Sequence, residues 1–388
     1  MSIIKEKIYY ILDGSEIFLT IEELKNLLEI YHLSSYIEEN SFEQAKSTRI
    51  VIQNNPEVIP TKILTQINSL SAYIKKIGLV FLDLELNFSF KAEENLDLIR
   101  KKMKTLQWSN WIKNEDSFKV IIQTFGSFKT ESKITKKEYN KWVPKIGEVI
   151  FYSTNAKVDL ENPTHKINLF IWDSGRIIIG LELFEPNRKA LNKRAPKNRK
   201  FFHPASMNPP LIRAMLNLGI TKELAVLLKY SSKKKVFFDP FMGGGGMLIE
   251  ALDMGFVIFG NDADYWISRG TRMNMFEFEE RIAFCKMPWN ISQADSQKIS
   301  LCSNSVDLIV TDPPYGSSSS LKSLTLHALL EETLKECYRV LKLNRRMVIC
   351  IPSFCETSDL LKNYCVKNSI VIPVHSSLTR ILYVIEKN

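Results

Sequence analysis

The chain has 388 residues and a formal net charge of +9, from 52 Lys and Arg against 43 Asp and Glu. Hydrophobic residues make up 45% of it, with only 15 Gly and 15 Pro, which excludes a disordered, collagen-like or low-complexity protein and indicates two or three packed domains. No stretch reaches the ~18 apolar residues of a membrane span. Residues 1–7 lack the apolar core of a signal peptide. These features predict a cytoplasmic protein with no membrane partner.

The cysteines predict reduced thiols, mostly buried, and no metal. They form no C-x-x-C pair, and no histidines stand at the spacing of zinc ligands, so neither a zinc site nor a disulfide framework is indicated. The six cysteines are Cys285, Cys302, Cys337, Cys350, Cys355 and Cys365.

The first 85 residues predict a small α/β or α+β unit. A strand over 7–12 precedes an amphipathic helix with Thr20 as its N-cap and Glu23 three residues later, the spacing of a capping box. Strand and helix patterns then alternate at 48–52, 63–70 and 78–82. Short alternating elements of this kind fold as a sheet with helices packed against it.

A second unit extends from about residue 88 to 185. It opens with a helical pattern through Ile99 and Met103 and ends in two strand patterns around the turn residues 173–175, which predict a hairpin. Between them lie a strand at 117–122 and a helix at 138–150.

Residues 186–200 are basic and contain few large apolar side chains. This composition predicts a linker. A solvated connector and an anion-binding segment both fit such a run. We give the anionic ligand precedence because of the motifs that follow. The positive residues are Arg188, Lys189, Lys193, Arg194, Lys197, Arg199 and Lys200.

The C-terminal half repeats strand and helix patterns. Strands with almost continuous apolar sequence occur at 235–240, 257–260, 306–310 and 347–351, with helices at 211–218, 263–279 and 321–341. Strands that are apolar on both faces are typical of a parallel, doubly wound sheet covered by helices on both sides.

A strand ending in Asp239 leads into a glycine turn at 243–246 and then a helix. Glycines let a ligand lie against the backbone, and the first N–H groups of a helix face that ligand. No Lys follows the turn, which excludes a P-loop, and Asp239 would repel a pyrophosphate but suit a cationic group. Asp239, Gly243 and Gly245 are therefore candidate cofactor residues.

Three further carboxylates lie between predicted strands of the C-terminal half. Asp262 is placed where nucleoside-binding folds hold ribose hydroxyls, and Asp264 is a candidate N-cap for the next helix. Asp295 fits either an acceptor for an adenine amino group or a surface turn. His203, between Phe202 and Pro204, predicts a packed core histidine.

Asp312, Pro313, Pro314 and Tyr315 come directly after an apolar strand. An aromatic amine is a poor nucleophile because its lone pair is delocalised into the ring. A carboxylate and a backbone carbonyl that both accept from the NH₂ group, here Asp312 and Pro313, direct that lone pair at a methyl donor. The prolines make the loop rigid, and Tyr315 offers a face on which an extruded base stacks.

These motifs together resemble those of class I S-adenosylmethionine-dependent amino-methyltransferases. Residues 157–163 resemble the closing segment of a THUMP domain, an RNA-binding module, and residues 201–207 are similar to the link in archaeal and eukaryotic tRNA guanine-10 N2-methyltransferases. The glycine turn departs from the family pattern, because Met242 and Gly244 stand where Cys and Thr are usual. Gly244 removes a hydroxyl contact to the cofactor.

The resemblance implies an α/β protein of four parts. These are a ferredoxin-like domain (1–85), a THUMP domain (86–185), a basic linker (186–200) and a Rossmann-like class I methyltransferase domain (201–388). It also implies S-adenosylmethionine as the cofactor, tRNA as the partner with the THUMP region holding its single-stranded acceptor end, and no DNA. Some relatives require a small activator subunit.

By the same resemblance Asp312, Pro313, Pro314 and Tyr315 are catalytic, and the seven basic residues of 186–200 contact RNA. The cofactor residues are Asp239, Gly243, Gly245, Asp262 and Asp295. The expected reaction is methylation of the N2 amine of a guanosine in tRNA, guanosine 10 first among the candidates, with one or two methyl groups. Alternatives are another tRNA or rRNA position, DNA amino-methylation, and a catalytically silent RNA-binding module.

Overall fold

We describe the protein from a computed structural model. It describes residues 3–4, 6–54, 59–86, 92–125, 136–186, 188–281, 288–315, 323–376 and 378–388. The chain divides into two compact units. Unit 1 comprises Met1–Ile17, Ser35–Ser69 and Ile74–Pro186, and unit 2 comprises Phe18–Ser34, Leu70–Tyr73 and Asn187–Asn388. Within the described residues no helix combines the length and apolarity that crossing a bilayer demands.

The helices, in chain order, are α1 (Ile17–Ile30), α2 (Ser41–Thr48), α3 (Thr61–Leu70), α4 (Ala92–Met103), α5 (Lys136–Thr154), α6 (Arg188–Lys193), α7 (Pro209–Gly219), α8 (Lys222–Tyr230), α9 (Gly246–Asp253), α10 (Tyr265–Arg281), α11 (Ser323–Val340) and α12 (Ser358–Leu361). Short 3₁₀ turns occur at Ser34–Tyr36, Trp108–Asn110 and Pro196–Asn198.

The strands are β1 (Ile3–Ile4), β2 (Lys7–Leu12), β3 (Ile50–Gln53), β4 (Ile59–Pro60), β5 (Ile74–Glu85), β6 (Ser117–Phe125), β7 (Lys157–Val158), β8 (His165–Trp172), β9 (Arg176–Phe184), β10 (Val236–Asp239), β11 (Val257–Asp262), β12 (Trp289–Gln293), β13 (Val306–Thr311), β14 (Leu341–Pro352), β15 (Cys365–His375) and β16 (Leu378–Lys387).

Unit 1 is built on one mixed sheet with the strand order β3-β2-β5-β9-β8-β6-β7, and β1 pairs separately with β4. The predicted hairpin is confirmed, since β8 and β9 pair antiparallel and the turn contains Gly175 at φ 100°. Strand β5 pairs with β9, so a single sheet joins strands from both sides of residue 85. The domain limits drawn at 85 and 185 stay a prediction.

Unit 2 contains the predicted doubly wound sheet, in the order β12-β11-β10-β13-β14-β16-β15. The first five strands are parallel, and the last two are antiparallel additions that the sequence analysis did not include. Every residue of β13 is buried, including Asp307 and Thr311, as its almost continuous apolar sequence predicts. Apolar side chains of α7 and α9 pack on one face of the sheet, and those of α11 and α12 pack on the other.

Most of helix α1 belongs to unit 2, although it lies in the N-terminal sequence. The prediction that Thr20 and Glu23 form a capping box is wrong, because α1 begins at Ile17 and Thr20 is a buried residue within it. The Glu23 carboxylate instead accepts hydrogen bonds from the backbone N–H of Ala72 at 2.7 Å and from the side chain of Asn217 at 2.7 Å. A buried carboxylate of this kind requires such donors, so α1 is anchored on α7.

The five cysteines among the described residues are free thiols. Only Cys337 and Cys350 are fully buried, whereas Cys302 is exposed and the other two are half-buried. The prediction of mostly buried thiols is therefore wrong for this set, and Cys285 lies outside the described residues.

Candidate active site

The candidate residues of unit 2 meet at one edge of its sheet, where four parallel strands end. Asp239 is the last residue of β10, Asp262 is the last of β11, Asp295 follows β12, and Asp312 comes directly after β13. This arrangement is the one that parallel α/β sheets use for ligands, in the crevice beyond the carboxyl ends of their strands.

The glycine turn has the backbone conformation that glycine favours. Gly243 has φ 49°, and Gly245, which precedes α9, has φ 76°. Two buried side chains of α10 fix the carbonyls of this turn, since the Thr271 hydroxyl donates to Gly243 O and the Asn274 amide donates to Gly244 O at 3.1 Å. The turn is therefore built before any ligand arrives.

Asp262 faces the glycine turn. Its carboxylate accepts the backbone N–H of Gly243 at 3.2 Å and that of Asp264 at 3.0 Å. Burial raises the pKa of Asp262, while these two donors oppose the rise. Each carboxylate oxygen has a second lone pair, so the group is still able to accept from ribose hydroxyls.

Asp264 is the N-cap of α10, as predicted, because its carboxylate accepts from the backbone N–H of Trp266 at 2.7 Å and of Ile267 at 3.0 Å. Asp295 is exposed and caps a turn, accepting the Gln297 N–H at 2.9 Å. This geometry is that of the surface turn, and the adenine contact of Asp295 stays a prediction.

Asp239 is buried between the glycine turn and β13. Its Oδ1 accepts from the Thr311 hydroxyl at 2.7 Å and from the Phe241 N–H at 3.1 Å. Burial raises the pKa of Asp239 to about 7, against the lowering effect of both donors. Asp239 thus connects the turn to the residue that precedes Asp312.

Asp312 is held by charge and by a hydroxyl. Its Oδ2 lies 3.2 Å from Nη2 of Arg380 on β16, and Oδ1 accepts from the Tyr315 hydroxyl. The Arg380 guanidinium also lies over the Tyr315 ring, 5.4 Å from its centroid. Burial raises the pKa of Asp312 to about 7, Arg380 lowers it, and the charge of Asp239 raises it.

Of the two alternatives for 188–200, a fully solvated connector does not fit Arg194 and Arg199, which are directed inward, while the linker limits and the RNA contacts stay a prediction. The segment contains α6 and a 3₁₀ turn, and Arg194 pairs with buried Glu250 at 2.6 Å. A buried carboxylate needs this cation, so Arg194 is not a free phosphate ligand. Lys193, Lys197 and Lys200 are exposed. The side chains of Arg188 and Lys189 lie outside the described residues.

Arg199 is likewise directed inward. Its Nε donates to Arg194 O at 3.0 Å, and Nη1 lies 3.5 Å from Gly244 O. Nη2 is buried with no partner in the described part of the chain. Burial lowers the pKa of Arg199 to about 10, so the residue is a cation at neutral pH, directly behind the glycine turn.

Residues 201–206 form one wall of the same turn. The Asn274 side chain bonds both backbone groups of Phe201, at 2.8 and 2.9 Å. His203 is half-buried against the turn, 3.9 Å from where a Gly243 Cβ would stand, so the packed-core prediction is wrong. A Gly244 Cβ would lie 2.9 Å from Ser206 Oγ and 3.1 Å from His203 Cβ, so a larger residue here would press on both side chains.

The site fits S-adenosylmethionine by three observations. The turn offers an open backbone at Gly243, where a Cβ would meet no atom closer than 3.9 Å. Asp262 suits ribose hydroxyls, and Ser206 Oγ is a buried hydroxyl without a partner among the described residues, next to the turn. The Arg199 cation and the first N–H groups of α9 favour the carboxylate of a methionine moiety. A sulfonium cation is compatible with the nearby acids.

Sequence reasoning missed several of these residues. Thr271 and Asn274 are polar positions one helical turn apart on the buried face of α10, a signal that the sequence carries but that alone indicates only a structural role. Thr311 immediately precedes the Asp312 loop and follows the predicted strand 306–310, and its bond to Asp239 was not predicted. No sequence motif marks Arg380, because only the pairing of β16 with β14 and β15 brings it to Asp312.

The edge-of-sheet crevice, the glycine turn and the Asp312 loop define a class I S-adenosylmethionine-dependent methyltransferase. Family models match as "RMKL-like, methyltransferase domain" (UPF0020) over residues 196–381 and as a THUMP domain over 93–179. A tRNA (guanine(10)-N2)-dimethyltransferase of Methanothermobacter thermautotrophicus is 32% identical over 62% of this chain and 67% of its own length. The one from Methanocaldococcus jannaschii is 27% identical over 97% and 99%. The chain belongs to the tRNA (guanine(10)-N2)-methyltransferase family.

Solved structures share the fold over the whole chain. TrmN from Thermus thermophilus superposes with a TM-score of 0.54 at 18% identity, covering 98% of this chain and 99% of its own. SMU.472, a putative methyltransferase complexed with SAH, gives a TM-score of 0.54 at 14% identity over 100% and 99%. The predicted architecture, an N-terminal α/β region with a THUMP domain followed by a class I methyltransferase sheet, is confirmed.

Proposed function

We propose that this protein transfers a methyl group from S-adenosylmethionine to the N2 amine of guanosine 10 in tRNA. The observation that carries the proposal is the position of Asp312, at the end of β13 and one residue after Thr311, which bonds Asp239 beside the glycine turn. An amine acceptor and a cofactor turn at one sheet edge are what amino methylation requires.

When bound, S-adenosylmethionine supplies an electrophilic methyl group on a sulfonium, which the amine lone pair attacks. Asp312 accepts one N–H of the amine, and the Pro313 carbonyl is proposed to accept the other, which aims the lone pair at the methyl carbon. Formation of the N–C bond would break the methyl–sulfur bond of the cofactor and release S-adenosylhomocysteine, and Asp312 is proposed to take the proton that the nitrogen then loses. Tyr315 is proposed to stack on the extruded base.

The test is methylation of an unmodified tRNA transcript, followed by digestion and mass spectrometry of the nucleosides. We expect N2-methylguanosine, and dimethylguanosine if the enzyme adds two groups. A transcript with guanosine 10 replaced by adenosine should yield neither. Methylation that persists in that transcript would move the target to another guanosine, and methylation of a duplex DNA control would support the DNA alternative.

For RNA binding we propose that the THUMP region holds the acceptor end and that Lys193, Lys197 and Lys200 contact phosphates. These lysines are exposed, whereas Arg194 and Arg199 are engaged inside unit 2. Exposed cations release counterions from RNA when they bind it, and each lost contact flattens the salt dependence by about 0.7 to 0.9 in log–log slope.

Replacing the three lysines with Gln should therefore weaken tRNA binding about tenfold at low salt and reduce the salt slope by about 2. Filter binding across a salt series measures both quantities. The matched control carries Gln at Lys233, Lys234 and Lys298, three exposed lysines of the same unit. Equal losses in both variants would reduce the effect to net charge, and no loss in either would remove the segment from the interface.

A small activator subunit remains a proposal, supported by one surface. Helix α10 leaves Tyr265, Trp266, Met273 and Phe276 about half or more exposed, beside β12, the terminal strand of the sheet. Exposed apolar residues of this number on one helix are typical of an interaction face. Full activity of the purified chain alone would remove the requirement. A cytoplasmic location likewise stays a prediction.

A further inference from the structure

Arg380 reaches the Asp312 loop from the far end of the chain. It lies on β16, in register with Pro352 of β14 and Ile372 of β15, so the antiparallel end of the sheet delivers its side chain to the carboxyl end of the parallel strands. The Arg380 side chain is 13% exposed and that of Asp312 is 14% exposed, and their 3.2 Å contact is largely shielded from water.

Arg380 contacts one oxygen of the Asp312 carboxylate, and a hydroxyl bonds the other. Arg380 holds Oδ2, and the Tyr315 hydroxyl donates to Oδ1. The Tyr315 hydroxyl takes one of the two lone pairs of Oδ1, and its departure leaves that lone pair to an N–H of the substrate amine. Arg380 Nε is buried without a partner in the described part of the chain.

We propose that Arg380 is a positioning residue for methyl transfer, which fixes Oδ2 of Asp312 so that Oδ1 receives the guanine amine once the Tyr315 hydroxyl has moved aside. The inference rests on the proposed function, because it assigns Arg380 a task in that reaction. Arg380 acts through Asp312 and need not touch the base.

The charges around Asp312 make this task necessary. The groups that face it are Tyr315 on its own loop, Asp239 on β10, Cys350 on β14 and Arg380 on β16. Asp239 and burial both raise the pKa of Asp312, and the Cys350 thiol stays neutral because burial raises its pKa well above the ordinary value. Arg380 is the cation that lowers the pKa of Asp312 against these effects. Its removal should raise the pKa of Asp312 further and protonate the acceptor near neutral pH.

The experiment is single-turnover methylation of tRNA between pH 6 and 9 by the wild-type chain, R380M and R380K. The wild-type rate should fall below a midpoint near pH 7, where the Asp312 carboxylate becomes protonated. R380M should move this midpoint up by about one pH unit and lower the rate at pH 7 about fivefold, and R380K should lie between the two. Binding of S-adenosylhomocysteine, measured by calorimetry, should stay within about threefold in all three, showing that each variant is folded.

The matched control is R345M, which removes a buried arginine of the same sheet that pairs with Glu223. It should lower stability without moving the midpoint. An unmoved midpoint in both R380M and R380K would overturn the positioning role and leave Arg380 structural. A wild-type chain that transfers no methyl group to tRNA would overturn the proposed function and this inference with it, whereas wild-type activity with unmoved midpoints would overturn the inference alone.

Discussion

The two ends of the active site are held by different kinds of contact. At the cofactor end, Asp262 and the glycine turn are joined through backbone N–H groups and carbonyls, with Thr271 and Asn274 supporting them from the adjacent helix. At the base end, Asp312 is held by two side chains, Tyr315 and Arg380. The first end is a fixed backbone cradle, and the second depends on charges and a hydroxyl that are able to change partners.

The difference matches what each end must do. The cofactor has the same shape at every turnover, so a preorganised backbone suits it. Such a backbone loses little conformational entropy when the cofactor binds. A guanine that leaves an RNA stack needs a hydrogen-bond acceptor in the pocket. Here the Tyr315 hydroxyl bonds that acceptor, Asp312, until the base arrives and then gives it up. Substitutions at the base end should therefore change the rate, and those at the cofactor end should change cofactor affinity.

The largest expected effect is that of Asp312→Ala. It should lower the single-turnover rate of methyl transfer by about 10²- to 10⁴-fold, the usual range for a group that handles a proton in the transition state. Because Asp312 acts as the amine attacks, the loss belongs in kcat. Rapid-quench methylation measures it, and calorimetry of S-adenosylhomocysteine should show an affinity within about threefold of wild type. A comparable fall in cofactor affinity would contradict the division between the two ends.

This division also determines what the sequence could predict. The glycine turn, Asp262 and Asp264 were located because their geometry is local, with positive φ at glycine and a capping carboxylate directly before a helix. The alternating apolar strands likewise predicted the parallel sheet. Arg380 was missed because only pairing of β14, β15 and β16 brings it to Asp312. The ion pair of Arg194 with Glu250 was not predicted, because this buried partner is distant in sequence.

The second effect tests the cradle itself. Gly245→Ala places a Cβ 2.7 Å from Thr271 Cγ2 on a backbone at φ 76°. The strain of a left-handed conformation is about 1–2 kcal/mol, and the clash adds to it, so cofactor affinity should fall about tenfold or more. The control is Gly255→Ala, whose φ is 91° but whose Cβ meets nothing within 4 Å. It should lower thermal stability through the same left-handed strain, without the clash, and leave cofactor affinity unchanged in calorimetry. Equal affinity losses would assign the effect to stability alone.

The third prediction tests whether cofactor affinity depends on a side-chain charge. Arg199→Met removes the cation behind the turn, which faces the position proposed for the methionine carboxylate. The affinity for S-adenosylhomocysteine should fall about three- to tenfold, while that for methylthioadenosine, which lacks the carboxylate, should not change. Calorimetry with both ligands separates the two outcomes. Parallel losses for both would mean that Arg199 supports the turn only as a packed side chain.

The smallest effect concerns Asp239, which lies between the two ends and bonds to Thr311 and Phe241. Its pKa is about 7 in the folded chain against an ordinary 3.8, so folding binds its proton more tightly. Stability from this group is therefore fully present below about pH 4 and is lost as pH rises to 7. Asp239→Asn keeps the Oδ1 acceptor and removes the charge. It should raise the free energy of unfolding by about 1–2 kcal/mol at pH 8 and by less at pH 5. Urea unfolding at both pH values measures the difference. A gain equal at the two pH values would show that Asp239 does not titrate in this range, and that its charge is stabilised at the junction of the two ends.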